Sequence, residues 1–348
     1  MAFTERARGK RAAGAAVPAA VLAVVMAGCG STPASTAGGS PTSAPAPPPH
    51  WSELGGSLSP LSGHAAAGVA VWGPSVVALL GSHVWRYQSG GWSAMPALPS
   101  PTSNLAPADL AVAGSELWVG AYGFSQYDSA TGAWAVRDPA SAIPITGNMA
   151  ANASGVVVAL PDGMGSPWEW SGRGWAQLSG LSSALSGGFT YAAAVASGGA
   201  VLVGTSSGVW EGGAGSAWSQ LGGGANALAT HRVTRIAVSS GQIAVYGPGV
   251  GVVEYIGGAW NTPGGEPAGV RPASADTLSG LLGGSDPLVF SPSGALTIGT
   301  SSGVIWTYAA GTWSAIAHLG AAIEGLAYAP NGTLVASTAG GVYADGGI

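Results

Sequence analysis

Residues 299–313 read GTSSGVIWTYAAGTW, and this stretch carries the plan of the chain. A Gly/Ser cluster leads into VIWTYA (304–309), rich in β-branched and aromatic residues, and a glycine-bearing turn follows before Trp313. That order is the composition of a β-hairpin. The closing tryptophan has counterparts at Trp51, Trp92, Trp134, Trp175, Trp218 and Trp260, at successive intervals of 41, 42, 41, 43, 42 and 53 residues. Most stand in related phrases: GGW, TGAW, GRGW, GSAW, GGAW and GTW.

Each interval holds three further short runs. The first is apolar, as in GVAVWG (68–73), YAAAVAS (191–197) or TRIAVSS (234–240). The second ends near Gly or Ser, as in VVALLGS, ELWVGAY or AVLVGTSSG, and the third carries an aromatic, as in VWRYQ, GFSQYD, PWEWS or VVEYIG. Four strands per forty-odd residues predict an all-β fold in which each repeat is one antiparallel propeller blade. The ends set the count. The unit from Ile323 to Ile348 has three runs and stops before any tryptophan, whereas Trp51, in HWSELGG (50–56), precedes any complete unit. Joined, the fragments make one blade beside six continuous ones. The expectation is a seven-bladed β-propeller over 50–348, closed by the N-terminal strand pairing with the C-terminal blade, which removes open sheet edges.

The first fifty residues read differently. Arg6, Arg8, Lys10 and Arg11 precede an uncharged stretch from Ala12 to Gly28, the layout of an export signal over 1–28. It ends in Met26-Ala27-Gly28-Cys29, which resembles a bacterial lipobox with Met26 in place of the usual leucine. Cys29 is the only cysteine in the chain, so no internal disulfide can form, and lipidation at Cys29 accounts for the odd thiol. Residues 29–49 are almost entirely Ser, Thr, Ala, Gly and Pro, a disordered tether. The expected location is the outer surface of the cell membrane, reached through the lipid anchor.

From Cys29 onward there are six arginines, no lysine and 14 acids, a formal charge of −8. No basic patch exists for nucleic acid. Charged residues are 7% of the chain, yet apolar residues reach 47% and mean hydropathy is +0.35, values of a packed protein rather than a solvated coil. A propeller accommodates this, since blade faces pack on neighbouring blades and tight turns use glycine, of which there are 60. The low charge suits acidic surroundings and equally suits a compositional bias toward Ala and Gly.

At these residues the chain resembles bacterial propellers of the neuraminidase-repeat, kelch and two-component-regulator types. GTSSGVW (204–210) and GTSSGVIWTY (299–308) are similar to the regulator-propeller pattern, and YDSATGAW (127–134) to a kelch strand pair. The resemblance is partial. A neuraminidase aspartate box needs an aspartate five residues before the tryptophan, where this chain has Tyr87, Ser129, Trp170, Gly213, Tyr255 and Tyr308.

Enzyme readings find little support. A sialidase site needs three converging arginines, but Arg86 and Arg173 fall in or beside the outer hairpins, leaving Arg137, Arg232, Arg235 and Arg271. A glycosidase needs two acids across one cleft; Asp138, Asp162, Glu266, Asp276 and Asp286 fall in loops, and no motif singles out a pair. His64, His83, His231 and His318 are scattered singly, without metal-ligand spacing. No phosphate loop or nucleophile elbow is present, so no cofactor and no metal is expected.

Loop length breaks the symmetry of the ring. Connections from fourth to first strands, at 97–109, 137–148, 179–190, 221–233 and 263–286, are longer than the turns of the opposite face, and 161–167 is a long second-to-third connection. Binding functions concentrate on such loops. The candidate binding residues there are His83, Tyr122, Asp138, Asp162, Phe189, His231, Arg232, Arg271 and Asp276. The expected role is a monomeric, membrane-anchored scaffold that binds an envelope protein or another ligand; the alternative is a carbohydrate-binding or carbohydrate-active propeller.

Overall fold

Among the described residues, short apolar runs punctuated by glycine fold into 28 strands, grouped four to a sheet in seven antiparallel sheets. The computed structural model describes residues 51–99, 109–120, 123–137, 145–161, 166–181, 185, 188–224, 226–270 and 287–348, with the side chains of 145–148 and 161 excepted. Cys29, the signal and the tether lie outside them. Strand β1 is Ser52–Glu53. Blade 1 comprises β2 (Gly68–Trp72), β3 (Ser75–Leu80), β4 (His83–Gln88) and β5 (Gly91–Ala94). Blade 2 comprises β6 (Asp109–Ala113), β7 (Glu116–Gly120), β8 (Phe124–Asp128) and β9 (Ala133–Val136). Blade 3 comprises β10 (Ile145–Ala151), β11 (Val157–Pro161), β12 (Trp168–Trp170) and β13 (Trp175–Gln177). Blade 4 comprises β14 (Thr190–Val195), β15 (Val201–Thr205), β16 (Gly208–Gly213) and β17 (Ser216–Gln220). Blade 5 comprises β18 (Arg235–Ser239), β19 (Gln242–Gly247), β20 (Gly251–Ile256) and β21 (Ala259–Asn261). Blade 6 comprises β22 (Leu288–Phe290), β23 (Leu296–Gly299), β24 (Val304–Ala309) and β25 (Thr312–His318). Blade 7 takes β26 (Ile323–Tyr328), β27 (Leu334–Thr338) and β28 (Gly341–Ala344) from the end of the chain and β1 from its beginning.

The closure follows the sequence reading. Ser52 pairs with Ala344 and Glu53 with Tyr343, and the Leu54 N–H donates to the Val342 carbonyl at 2.8 Å. The first strands abut one another in a closed cycle, β2 with β6, β10, β14, β18, β22 and β26 in turn, and β26 back to β2. They therefore surround the central axis.

Seven apolar clusters hold the ring, one at each blade interface. Between blades 1 and 2, for example, Val77, Leu79 and Val84 pack with Leu117, Val119 and Trp134. A fully buried leucine such as Leu117 contributes roughly 1.5–3 kcal/mol. Second strands are buried on both faces: every residue of β15 and β27 is inaccessible, Thr205, Ser337 and Thr338 included. Such strands leave no place for a charged side chain.

The marker tryptophans act as ties between blades. In five blades the marker tryptophan lies in the fourth strand, and its indole N–H donates to a main-chain carbonyl where the preceding blade's fourth strand ends. Trp92 bonds Leu54 (2.7 Å), Trp134 bonds Pro96 (2.9 Å), Trp218 bonds Ser179 (3.1 Å), Trp260 bonds Leu221 (2.9 Å), and Trp175 bonds Arg137. Beneath Trp260 the chain turns at Gly222 with φ +80°, and a Cβ there would stand 2.7 Å from the indole, so the site requires glycine.

The GTSSG phrases are turns between second and third strands. Thr205 Oγ1 accepts from the Ser207 N–H (3.0 Å) and donates to the Gly208 carbonyl (2.9 Å). Thr300 repeats this on Val304, and Thr338 on Gly340 and Gly341. The threonine satisfies polar groups that a buried tight turn would otherwise orphan. The glycine before it makes room for the next blade: a Cβ on Gly299 would stand 2.4 Å from Ile323 Cγ2.

Candidate functional site

Chain direction places the ends of fourth strands and the starts of first strands on one face. Turns from first to second and from third to fourth strands occupy the other face and are tight. On the first face the loops run long, at 54–67, 95–108, 137–144, 178–189, 221–234 and 262–287, while β25 reaches β26 in four residues. The 54–67 connection was not foreseen, because a lone N-terminal strand gives no repeat to measure it against.

Blades 4 and 5 build the best-formed part of this face. The 221–234 loop is anchored by buried Leu228 and Val233 and braced by Asn226, whose side chain donates to the Leu221 carbonyl (3.1 Å) and accepts from the Leu228 N–H (2.7 Å). Its far end carries His231 and Arg232. The His231 carbonyl accepts from the Gly208 N–H at 3.1 Å, which pins the loop to the GTSSG turn of blade 4. The Arg232 guanidinium lies 5.3 Å from the centre of the Tyr191 ring, within cation–π range, and Phe189 lies 6.3 Å from that ring. Phe189 is 47% exposed, an unusual state for so large an apolar side chain. The structure thus brings Phe189, His231 and Arg232 together and adds Tyr191. On the same face, Leu58 in the 54–67 loop is 96% exposed.

His83 stands apart, at the second-to-third turn of blade 1, exposed and 3.3 Å from Ser82 Oγ through Nδ1. Tyr122, Asp138, Asp162, Arg271 and Asp276 lie outside the described residues, as does Asp286. Glu266 has a supporting role: its carboxylate accepts from the Val252 N–H at 2.7 Å and lies over Gly251, where φ is +76°.

Residues at the channel mouth escaped the sequence reading. Asp109 begins β6, Arg235 begins β18, and Tyr191 and Glu324 sit at register shifts near the starts of β14 and β26. Bulges re-aim side chains at such positions. Asp109 bridges two blades: its carboxylate accepts from the Leu110 N–H and, across the interface, the Met149 N–H, both at 2.8 Å. Burial nevertheless pushes the Asp109 carboxyl up to about 7, against the opposing pull of those two bonds and of Arg235. Two further arginines, Arg86 and Arg137, hold the fold. Arg86 donates to Ser75 Oγ (2.9 Å) with its guanidinium 5.1 Å from the Trp72 ring, and Arg137 donates to Gln126 Oε1 (2.7 Å), 5.7 Å from Trp170. Among the described residues no three His, Cys, Asp or Glu side chains converge as a metal site, and no helix is long and apolar enough to cross a membrane.

No family model and no curated protein matches the sequence. Solved structures match the fold. A streptogramin B lyase superposes with a TM-score of 0.64 at 11% identity, covering 84% of this chain and 96% of the lyase. The extracellular domain of a hybrid two-component system protein from B. thetaiotaomicron gives 0.61 at 11% identity, over 85% of this chain and 39% of that one. YCF48 bound to D1 peptide gives 0.60 at 11% identity, over 85% and 96%. At such identities the likeness establishes the seven-bladed β-propeller and nothing finer.

Proposed function

We propose that this chain is a lipid-anchored extracytoplasmic propeller that binds a protein partner through its loop-bearing face. The aromatic–cationic cluster of exposed Phe189 with half-buried Tyr191 and Arg232, and Leu58 exposed on the same face, carries the reading. Aromatic residues and arginine are enriched where interfaces gain most of their energy. Among the structural neighbours, one is an extracellular domain and one is a propeller bound to a peptide, which supports the reading. The GTSSG turns and the two-component neighbour together favour the regulator-propeller subfamily.

Anchoring and binding are tested separately. Metabolic palmitate labelling should be lost in Cys29→Ala; undiminished labelling would remove the anchor. For the partner, in-cell crosslinking should yield a defined adduct that weakens at least tenfold in a Phe189→Ala/Arg232→Ala variant and persists in Arg86→Ala. An adduct indifferent to the face variant would reject the site.

A carbohydrate-active alternative draws on one observation, the Asp109 carboxyl held near neutrality, as a general acid requires. Both its oxygens are committed to main-chain donors between two blades, however. Asp109 is therefore part of the wall, and binding is the better reading.

A further inference from the structure

In five of the six blades formed from continuous chain, the marker tryptophan packs on an aromatic directly across the hairpin. The pairs are Tyr87–Trp92, Tyr127–Trp134, Trp170–Trp175, Tyr255–Trp260 and Tyr308–Trp313, with ring centres 5.0–5.8 Å apart. Blade 4 is the exception. The strand pair β16–β17 has a register shift between Glu211 and Gly213, and the position facing Trp218 is Gly212. The indole lies directly on that glycine, where a Cβ would stand 2.5 Å from Trp218 Cδ2. On the outer side of the ring a groove of about 790 Å³ opens here, between β13 of blade 3 and the β16–β17 hairpin. That is within the size range of small-ligand sites, roughly 300–1,000 Å³.

The lining selects a chemistry. Trp218 supplies an aromatic wall, held in place by its hydrogen bond to the Ser179 carbonyl. Gln177, Ser179 and Ser216 supply an amide and two hydroxyls, and the rest is glycine, alanine and Leu178. No residue of the lining is charged. An ionic ligand would shed water there without a counter-charge, and a purely apolar one would bury the amide and hydroxyls unsatisfied. A neutral sugar ring suits both halves, with its C–H face on the indole and its hydroxyls toward the polar groups.

We propose that the groove between blades 3 and 4 binds the ring of a neutral saccharide, with Trp218 as the stacking surface. The lining includes none of Phe189, Tyr191 and Arg232, so the site stands or falls independently of that cluster. The test uses full-length protein and neutral hexasaccharides of glucose and of N-acetylglucosamine at millimolar concentration, followed by ligand-observed NMR. Wild type should bind at least one series. Gly212→Tyr places an aromatic where the other five blades carry one and displaces the indole from its present seat; it should weaken binding about tenfold or more, at some cost in Tm. Ala176→Arg, on the exposed edge strand, should block the groove without touching the core, which covers the case in which Gly212→Tyr fails to fold. Arg232→Ala should bind as wild type does. Absence of binding by wild type, undiminished binding by both groove variants, or loss in Arg232→Ala alone would overturn the assignment.

Discussion

The indole N–H of Trp92 donates to the carbonyl of Leu54 at 2.7 Å, so the first continuous blade is tied to the strand that completes the last. The same tie recurs at Trp134, Trp175, Trp218 and Trp260, whereas among the described residues the buried Nε1 of Trp313 has no partner. The two classes of tryptophan should therefore respond differently to substitution. Trp260→Phe loses a hydrogen bond that contributes about 1 kcal/mol, with Asn226 left as the remaining donor to the Leu221 carbonyl, whereas Trp313→Phe loses only ring area. Thermal melts should show the larger drop in Tm for Trp260→Phe; equal drops would mean the bond adds nothing.

Removing residues 50–56 takes away β1, the Leu54 carbonyl and the partner of β28 together. The loss should far exceed that of a seven-residue surface deletion, and β28 should become an open sheet edge. Size-exclusion chromatography should show self-association along with a lowered melting temperature. A monomeric variant melting like the parent would contradict the closure.

Gly299→Ala forces a methyl group against Ile323 of the next blade and should cost about 1–3 kcal/mol, as overpacking does. Gly264→Ala meets nothing within 4 Å and serves as the control, with little change. Chemical denaturation of the two variants distinguishes a packing requirement from a general intolerance of glycine replacement.

Asp109 gives a pH dependence with a defined sign. Its folded-state carboxyl is raised to about 7 from an ordinary 3.8, so over that interval the folded chain holds a proton that the unfolded chain has released. Stability contributed by the group is present below about pH 4 and is lost as pH rises through about 7. Asp109→Asn removes the titration. Comparing urea unfolding at the two ends of that interval, wild type should lose stability relative to the variant as pH rises. Parallel behaviour, or the opposite slope, would reject the assignment.

The legible part of this molecule was the part that repeats. A tryptophan that must reach the neighbouring blade from a fixed place in its hairpin leaves a period in the sequence, and Trp51 without a blade of its own revealed the closure. Long loops were legible too, because a regular repeat makes an excess visible. Asp109, Arg235 and Glu324 were not, since nothing in the first strands distinguishes a residue at the channel mouth from one in a blade face. A register shift, as at Tyr191, leaves no compositional trace. Gly212 lies between these cases. Its signal was present as a glycine where other hairpins carry Tyr or Trp, but one extra residue in that hairpin hid the correspondence.

The pairing of Glu53 with Tyr343 also orders events in time. The two residues are 290 positions apart, so the strand that completes blade 7 leaves the ribosome, and any export channel, long before the strands it must join. Blades 1 to 6 can form one after another from local hairpins, but the ring stays an open arc until nearly the last residues are free. Closure of that long loop is the slow, entropically costly step. Until it occurs, the edge of β28 and the unpaired β1 are exposed to other chains, and a neighbouring copy's β1 can take the same place. Crowding of nascent copies, rather than heat, is then the condition under which this fold is most vulnerable.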